Sequence, residues 1–147
     1  MANISVQPGS VMMASGREYN LSQTQLWVTK EVVIDSTARD SGNSPTTTMR
    51  KGVVLAEVTA TGEFKEYDDT DSDGTQTARG ILDMDINLLD EEGTAQDAIG
   101  VRMTIVAHVD YNALFGIDAN GANDLASTVS NVGAGRRGAL IIFENDQ

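Results

Sequence analysis

Apolar and polar positions along this chain follow a period of two in most of the places where any period holds. Residues 1–23 are the exception. They scatter Ile4, Val6, Val11, Met12 and Met13 among Ser, Gln, Asn and Gly, with no sustained period and no helix cap, which predicts an extended or flexible arm. Residues 26–34, LWVTKEVVI, are rich in β-branched side chains, hold the only tryptophan, and predict a strand containing Leu26, Trp27 and Val28. The polar run DSTARDSGNSPTTT follows, with Gly42 and Pro45 and little to bury. It predicts a linker or long loop between an N-terminal portion, residues 1–48, and a compact body, residues 49–147.

Inside the body, Val53, Val54, Leu55, Ala56 and Val58 form a dense apolar run, and Ala60-Thr61-Gly62-Glu63 supplies a turn. Phe64 and Tyr67 lead into an acidic loop that ends at Asp73-Gly74, after which residues 78–82 resume an apolar strand. Residues 82–88 alternate strictly, placing Leu82, Met84, Ile86 and Leu88 on one face and Asp83, Asp85 and Asn87 on the other. An exposed loop over residues 90–97 precedes a second alternation. Here Ile99, Val101, Met103, Ile105, Ala107 and Val109 oppose Arg102, Thr104 and His108, with Val106 partly covered. Residues 111–115 suit a helical turn, and Asn123-Asp124 can cap a short helix to about residue 129. Residues 133–138 read as a loop, and residues 139–143 as a last strand buried on both faces. The predicted fold class is mainly β: a small β-clip or barrel-like body with one or two short helices and an extended N-terminal arm.

Charge sharpens this picture. The formal net charge is −12, unevenly spread: residues 1–51 carry five basic and four acidic side chains, residues 52–97 two and thirteen, residues 98–147 three and five. A strongly acidic surface repels phosphate backbones and argues against a nucleic-acid partner. It suits a solvated face that keeps the body soluble. With no cysteine, there is neither a disulfide nor a thiolate metal site, in keeping with synthesis in a reducing cytoplasm. No aliphatic run approaches the ~20 residues of a spanning helix, so no membrane partner is expected, and residues 1–10 lack the marks of a signal peptide.

The candidate chemistry is thin. Gly133-Ala134-Gly135-Arg136-Arg137-Gly138 fits G-x-G-x-x-G, but a dinucleotide site needs a strand before it and a helix after it, and here that order is reversed. Asp69, Asp71 and Asp73 with Gly74 resemble the start of an EF-hand loop, yet Gly80 stands where the bidentate glutamate belongs. His108 is the only histidine, and its neighbour Asp110 merely shares a strand face with it. Neither a catalytic group, a cofactor nor a metal is expected. One alternative keeps those three aspartates as ligands: an extracellular calcium-dependent adhesion or carbohydrate-binding β module.

The segment from Arg50 to Leu82 carries a family resemblance. Arg50, Gly52, Val54 and Leu55, then Thr59 to Gly62, Tyr67-Asp68, Asp73-Gly74, and Ala78 with Gly80-Ile81-Leu82 follow an order and spacing similar to the head decoration (capsid-stabilising) proteins of tailed bacteriophages, the lambda D type. That resemblance implies a structural virion protein on the outer surface of the phage head. It would be a homotrimer at three-fold or quasi-three-fold positions, with the major capsid protein and its own copies as partners. On this reading the capsid-binding residues are Ile4, Val6, Val11, Met12, Leu26, Trp27 and Val28. Gly116 to Gly121 is also similar to the substrate loop of trimeric dUTP pyrophosphatases, but the arginine-serine motif and Gly-rich aromatic tail those enzymes need are missing.

Overall fold

The computed structural model describes residues 27–126 and 140–144. Five strands in it close into a ring. β1 (Val28–Ile34) runs antiparallel to β7 (Ala98–Asp110) and, through Ile34 and Phe64, parallel to β4 (Phe64–Glu66). β4 pairs with β3 (Val54–Glu57), β3 with β5 (Ala78–Leu82), and β5 with β7. The body is thus the mainly β, barrel-like one that the period-two patterns predict. β8 (Leu140–Glu144) lies parallel to the second half of β7, and β2 (Thr48–Met49) forms a separate short ladder with β6 (Ile86–Asn87). A 3-10 turn (Tyr111–Ala113) and one helix, α1 (Ala119–Ala126), complete the described residues.

Two cores result. The barrel interior gathers Val32, Ile34, Leu55, Phe64, Leu82, Val101 and Met103, drawn from all five ring strands. A second core lies on the other face of β3 and β5, where Val54, Ala56, Tyr67 and Ile81 meet Leu125 of α1 and Ile141 of β8. Burying a large apolar side chain stabilises by roughly 1.5–3 kcal/mol. Val32 and Ile34 are both buried, so β1 is an integral wall of the barrel and shares its sheet with strands of residues 49–147.

Bulges let β7 serve both cores. Val28 pairs with Val106 and Thr29 with Thr104, which leaves Ile105 as an extra residue and reverses the alternation. Val101 and Met103 therefore face the barrel interior, while Ala107 and Val109 face the second core. The odd-numbered residues of this strand do not share one face, contrary to the strict alternation in the sequence. A second bulge follows from Val32 pairing with Val101 and Ile34 with Ala98. Gly100 takes φ 71 there, and Ile99, expected inside, is 82% exposed. Thr104, expected on a polar face, is fully buried.

The polar run at residues 35–48 is the long loop of the two expected alternatives, built of turns up to β2, and it buries Ala38 and Asp40. Local hydrogen bonds do what apolar burial cannot. Asp35 accepts from Thr37 N and Oγ1, Ser36 N donates to Asp97 Oδ1, and Arg39 N donates to Glu66 Oε2 at 2.7 Å. Arg50 grips Asp40 through Nε at 2.7 Å and a second nitrogen at 3.0 Å, and its guanidinium stacks 3.7 Å from the centre of the Phe115 ring. This two-pronged, charge-assisted contact ties the loop to the barrel.

Other expectations need correction. The strand predicted over residues 82–88 breaks after Leu82: Asp83 is buried against Arg102 at 3.5 Å, and Asp85 accepts from Lys51 N. Helix α1 begins earlier than Asn123-Asp124. Asp118 caps it, accepting from Gly121 N at 2.7 Å, and Asp124 instead accepts from Ala78 N of β5. In β8, Ile141 is buried but Ile142 is 55% exposed, so that strand has only one buried face at this point.

Gly80 sits where β3, β5 and β7 press together. A Cβ there would lie 2.6 Å from the Met103 Sδ and 2.9 Å from the Thr104 carbonyl oxygen. Gly80→Ala is expected to lower stability by about 1–3 kcal/mol in chemical denaturation, through overpacking at the barrel seam.

Candidate functional site

β1 starts at the end of the barrel where residues 1–26 join the body, and its first residues are the exposed ones. Trp27 is 51% and Val28 42% exposed, although both belong to an apolar run. Of the residues predicted to contact a partner, these two lie on the described surface; Ile4, Val6, Val11, Met12 and Leu26 lie outside the described residues.

Register defines what surrounds them. Val28 pairs with Val106, Val106 also pairs with Leu140, and His108 pairs with Ile142. Residues two apart on a strand share a face, so Val106 and His108 line one side with Val28 and the exposed Ile142. Trp27 projects to the other side, where its Nε1 donates to the buried Thr104 Oγ1 at 3.4 Å. Trp27 and Val28 thus straddle the strand at its start. Ile142 joins this rim although sequence reasoning placed it inside. An all-apolar strand such as residues 139–143 carries no alternation from which its open face can be read.

The acidic middle lies elsewhere in the sequence. Its aspartates are engaged in turns: Asp68 accepts from Thr70, Asp71 and Asp73 from Thr75 Oγ1, and Asp69 from Asn120 Nδ2 at 3.1 Å. Asp71 and Asp73 meet at Thr75 while Asp69 binds Asn120, and among the described residues no group of three or more acidic or histidine side chains is placed to hold a metal. The Thr70 and Thr75 hydrogen bonds hold the Asp68 and Asp73 carboxyls below the usual aspartate range. Burial, then the hydrogen bond to Asp118, pushes the Tyr67 phenol up. Asp110 is buried and caps the 3-10 turn by accepting from Asn112 N at 2.9 Å. The G-x-G-x-x-G run lies outside the described residues.

What the described surface offers a partner is therefore exposed apolar side chains at the start of β1 and on β8 and, at the bulge near the other end of β1, Ile99. A structural protein that attaches to a larger surface has this make-up. The family model for bacteriophage lambda head decoration protein D matches residues 20–126, and the chain belongs to that family of phage head proteins. No curated protein matches the chain. Among the described residues no helix is long and apolar enough to cross a membrane.

The carboxylates fall into two groups with opposite pH behaviour. Burial raises the Asp40 carboxyl, but the Arg50 hydrogen bonds and charge outweigh it, so the net shift is down; Asp35 is likewise lowered, Thr37 and nearby cations outweighing burial. Both contribute stability that is lost as pH falls through their depressed values. Burial raises Glu66 and Asp124, whose charged forms cost stability at neutral pH and are relieved on mild acidification. Stability is expected to stay level or rise as pH drops from neutral toward about 5 and to fall once pH passes below the ordinary aspartate value of 3.8. Arg50→Ala should flatten that acid fall in thermal melts across the pH range.

Proposed function

We propose that this chain attaches as a trimer to the outer surface of an icosahedral phage head, at its three-fold or quasi-three-fold positions. There it binds the major capsid protein and stabilises the shell by adhesion, without catalysis. The observation that carries this reading is the family match over residues 20–126, which spans the exposed start of β1. Residues 1–26 act as an arm, with Ile4, Val6, Val11, Met12 and Leu26 as apolar contacts and Trp27 and Val28 as its root on the barrel.

An extended segment can add a strand to an open sheet edge on the shell, taking affinity from main-chain hydrogen bonds. Ordering it costs about 1–2 kcal/mol per residue in backbone entropy, so each arm alone holds weakly. Three arms on one trimer make the later contacts intramolecular and raise avidity by about 10²–10⁴. Charge supports the same orientation. The near-neutral first third can approach the shell, whereas residues 52–97, with thirteen acidic side chains against two basic, favour facing solvent.

The direct experiment mixes the protein with expanded heads that lack decoration and images them. Density at the three-fold positions is expected, with a trimer in light scattering; a monomer both in solution and on the shell would count against the reading. Deleting residues 1–24 is expected to leave the body folded by circular dichroism yet reduce head binding at least tenfold. Unchanged binding by the truncated protein would move the contact onto the barrel.

A further inference from the structure

We propose that Thr104 is a positioning residue that sets the Trp27 indole for contact with the shell, an inference that rests on the attachment reading above. Thr104 is fully buried, paired with Thr29 of β1 on one side and Ile81 of β5 on the other, at the seam where three barrel strands meet. Its β-branched side chain has few rotamers open to it, so its hydroxyl is a fixed point. Trp27 is half exposed, yet its Nε1 donates to that hydroxyl across 77 residues of chain.

An exposed tryptophan ordinarily samples several rotamers and loses that freedom when it docks. Held at Thr104, the indole keeps one edge pinned to the barrel while the rest of the ring stays open to a partner. The ordering is then complete before contact, and preorganisation of one such side chain is worth roughly two- to tenfold in affinity. The bulge at Ile105 contributes to the geometry. It lets the step from Val28 to Thr29 span Val106 to Thr104, so that Thr104 points to the side on which Trp27 lies. The contact is specific to the hydroxyl. Valine matches threonine in shape but offers no acceptor, whereas serine offers one.

Trp27 is the only tryptophan, so the fluorescence of that residue type reports on this side chain alone. In the free full-length protein, Thr104→Val is expected to increase the fast local motion of the indole in time-resolved anisotropy. Thr104→Ser should restore wild-type motion. On expanded, undecorated heads, Thr104→Val should bind roughly two- to tenfold more weakly and Thr104→Ser as wild type. Trp27→Phe keeps an aromatic ring but has no N–H to donate. It should lose affinity to a similar degree, a result that also serves if Thr104→Val proves hard to fold, and combining the two should cost nothing further. Unchanged indole motion in Thr104→Val, or additive losses in the double variant, overturns the positioning role. Wild-type head binding by Trp27→Ala overturns instead the attachment role of Trp27, and the inference falls with it.

Discussion

The antiparallel pairing of β1 with β7 is the contact on which the rest of the molecule depends. Without it, β4, β3, β5 and β7 would form an open sheet with two bare edges; with it, the ring closes and no ring strand presents a long unpaired edge inside the body. Closure also brings Val32 and Ile34 into the interior against Val101 and Met103. The same pairing accounts for the exposed residues. β1 is built into the barrel at its Ile34 end and meets solvent at its Val28 end, which is where residues 1–26 join it.

A thirteen-residue strand cannot serve two cores with unbroken alternation. β7 solves this with the extra residue at 105, which turns its buried face from the barrel interior to the layer under α1 and β8. The bulge at Arg79 on β5 has the matching effect: Leu55 pairs with Gly80 and Ala56 with Ala78, so Ala78 and Ile81 both reach the second core. The seam between these irregular strands leaves no room for a side chain at position 80. It also fixes Thr104, so one stretch of sheet governs both packing and the orientation of Trp27.

Polar contacts do comparable work in the loops. Residues 35–48 have few apolar side chains, and their order comes from Asp35, Arg39, Asp40 and Asn43 hydrogen bonds and from the Arg50 clasp on Asp40 and Phe115. In the acidic middle, each aspartate of the 68–73 turn that accepts a threonine or asparagine hydrogen bond spends its carboxylate on local geometry. The arrangement rigidifies the turn and leaves a high negative charge facing water.

The mainly β class, the strands at residues 54–57 and 78–82, the helical turn after Asp110 and the acidic turn were all legible in the sequence. Each rests on local preference: β-branched runs, Gly-containing turns and capping side chains act over a few residues. Trp27 and Val28 were legible as candidates, being apolar residues beside an unpatterned segment. Tertiary structure decided the rest. Bulges at 99–100 and 105 shift which parity is buried, and they arise from pairing with a strand some seventy residues away, so alternation alone misplaced Ile99, Thr104 and the 107–109 face. Asp83 looked solvated until Arg102 on a neighbouring strand supplied a counter-charge, and Asp124 looked like a cap until the β5 backbone offered Ala78 N. Long-range pairing sets these outcomes because burial depends on what packs across a strand, and one chain's local pattern holds no record of its neighbour's register.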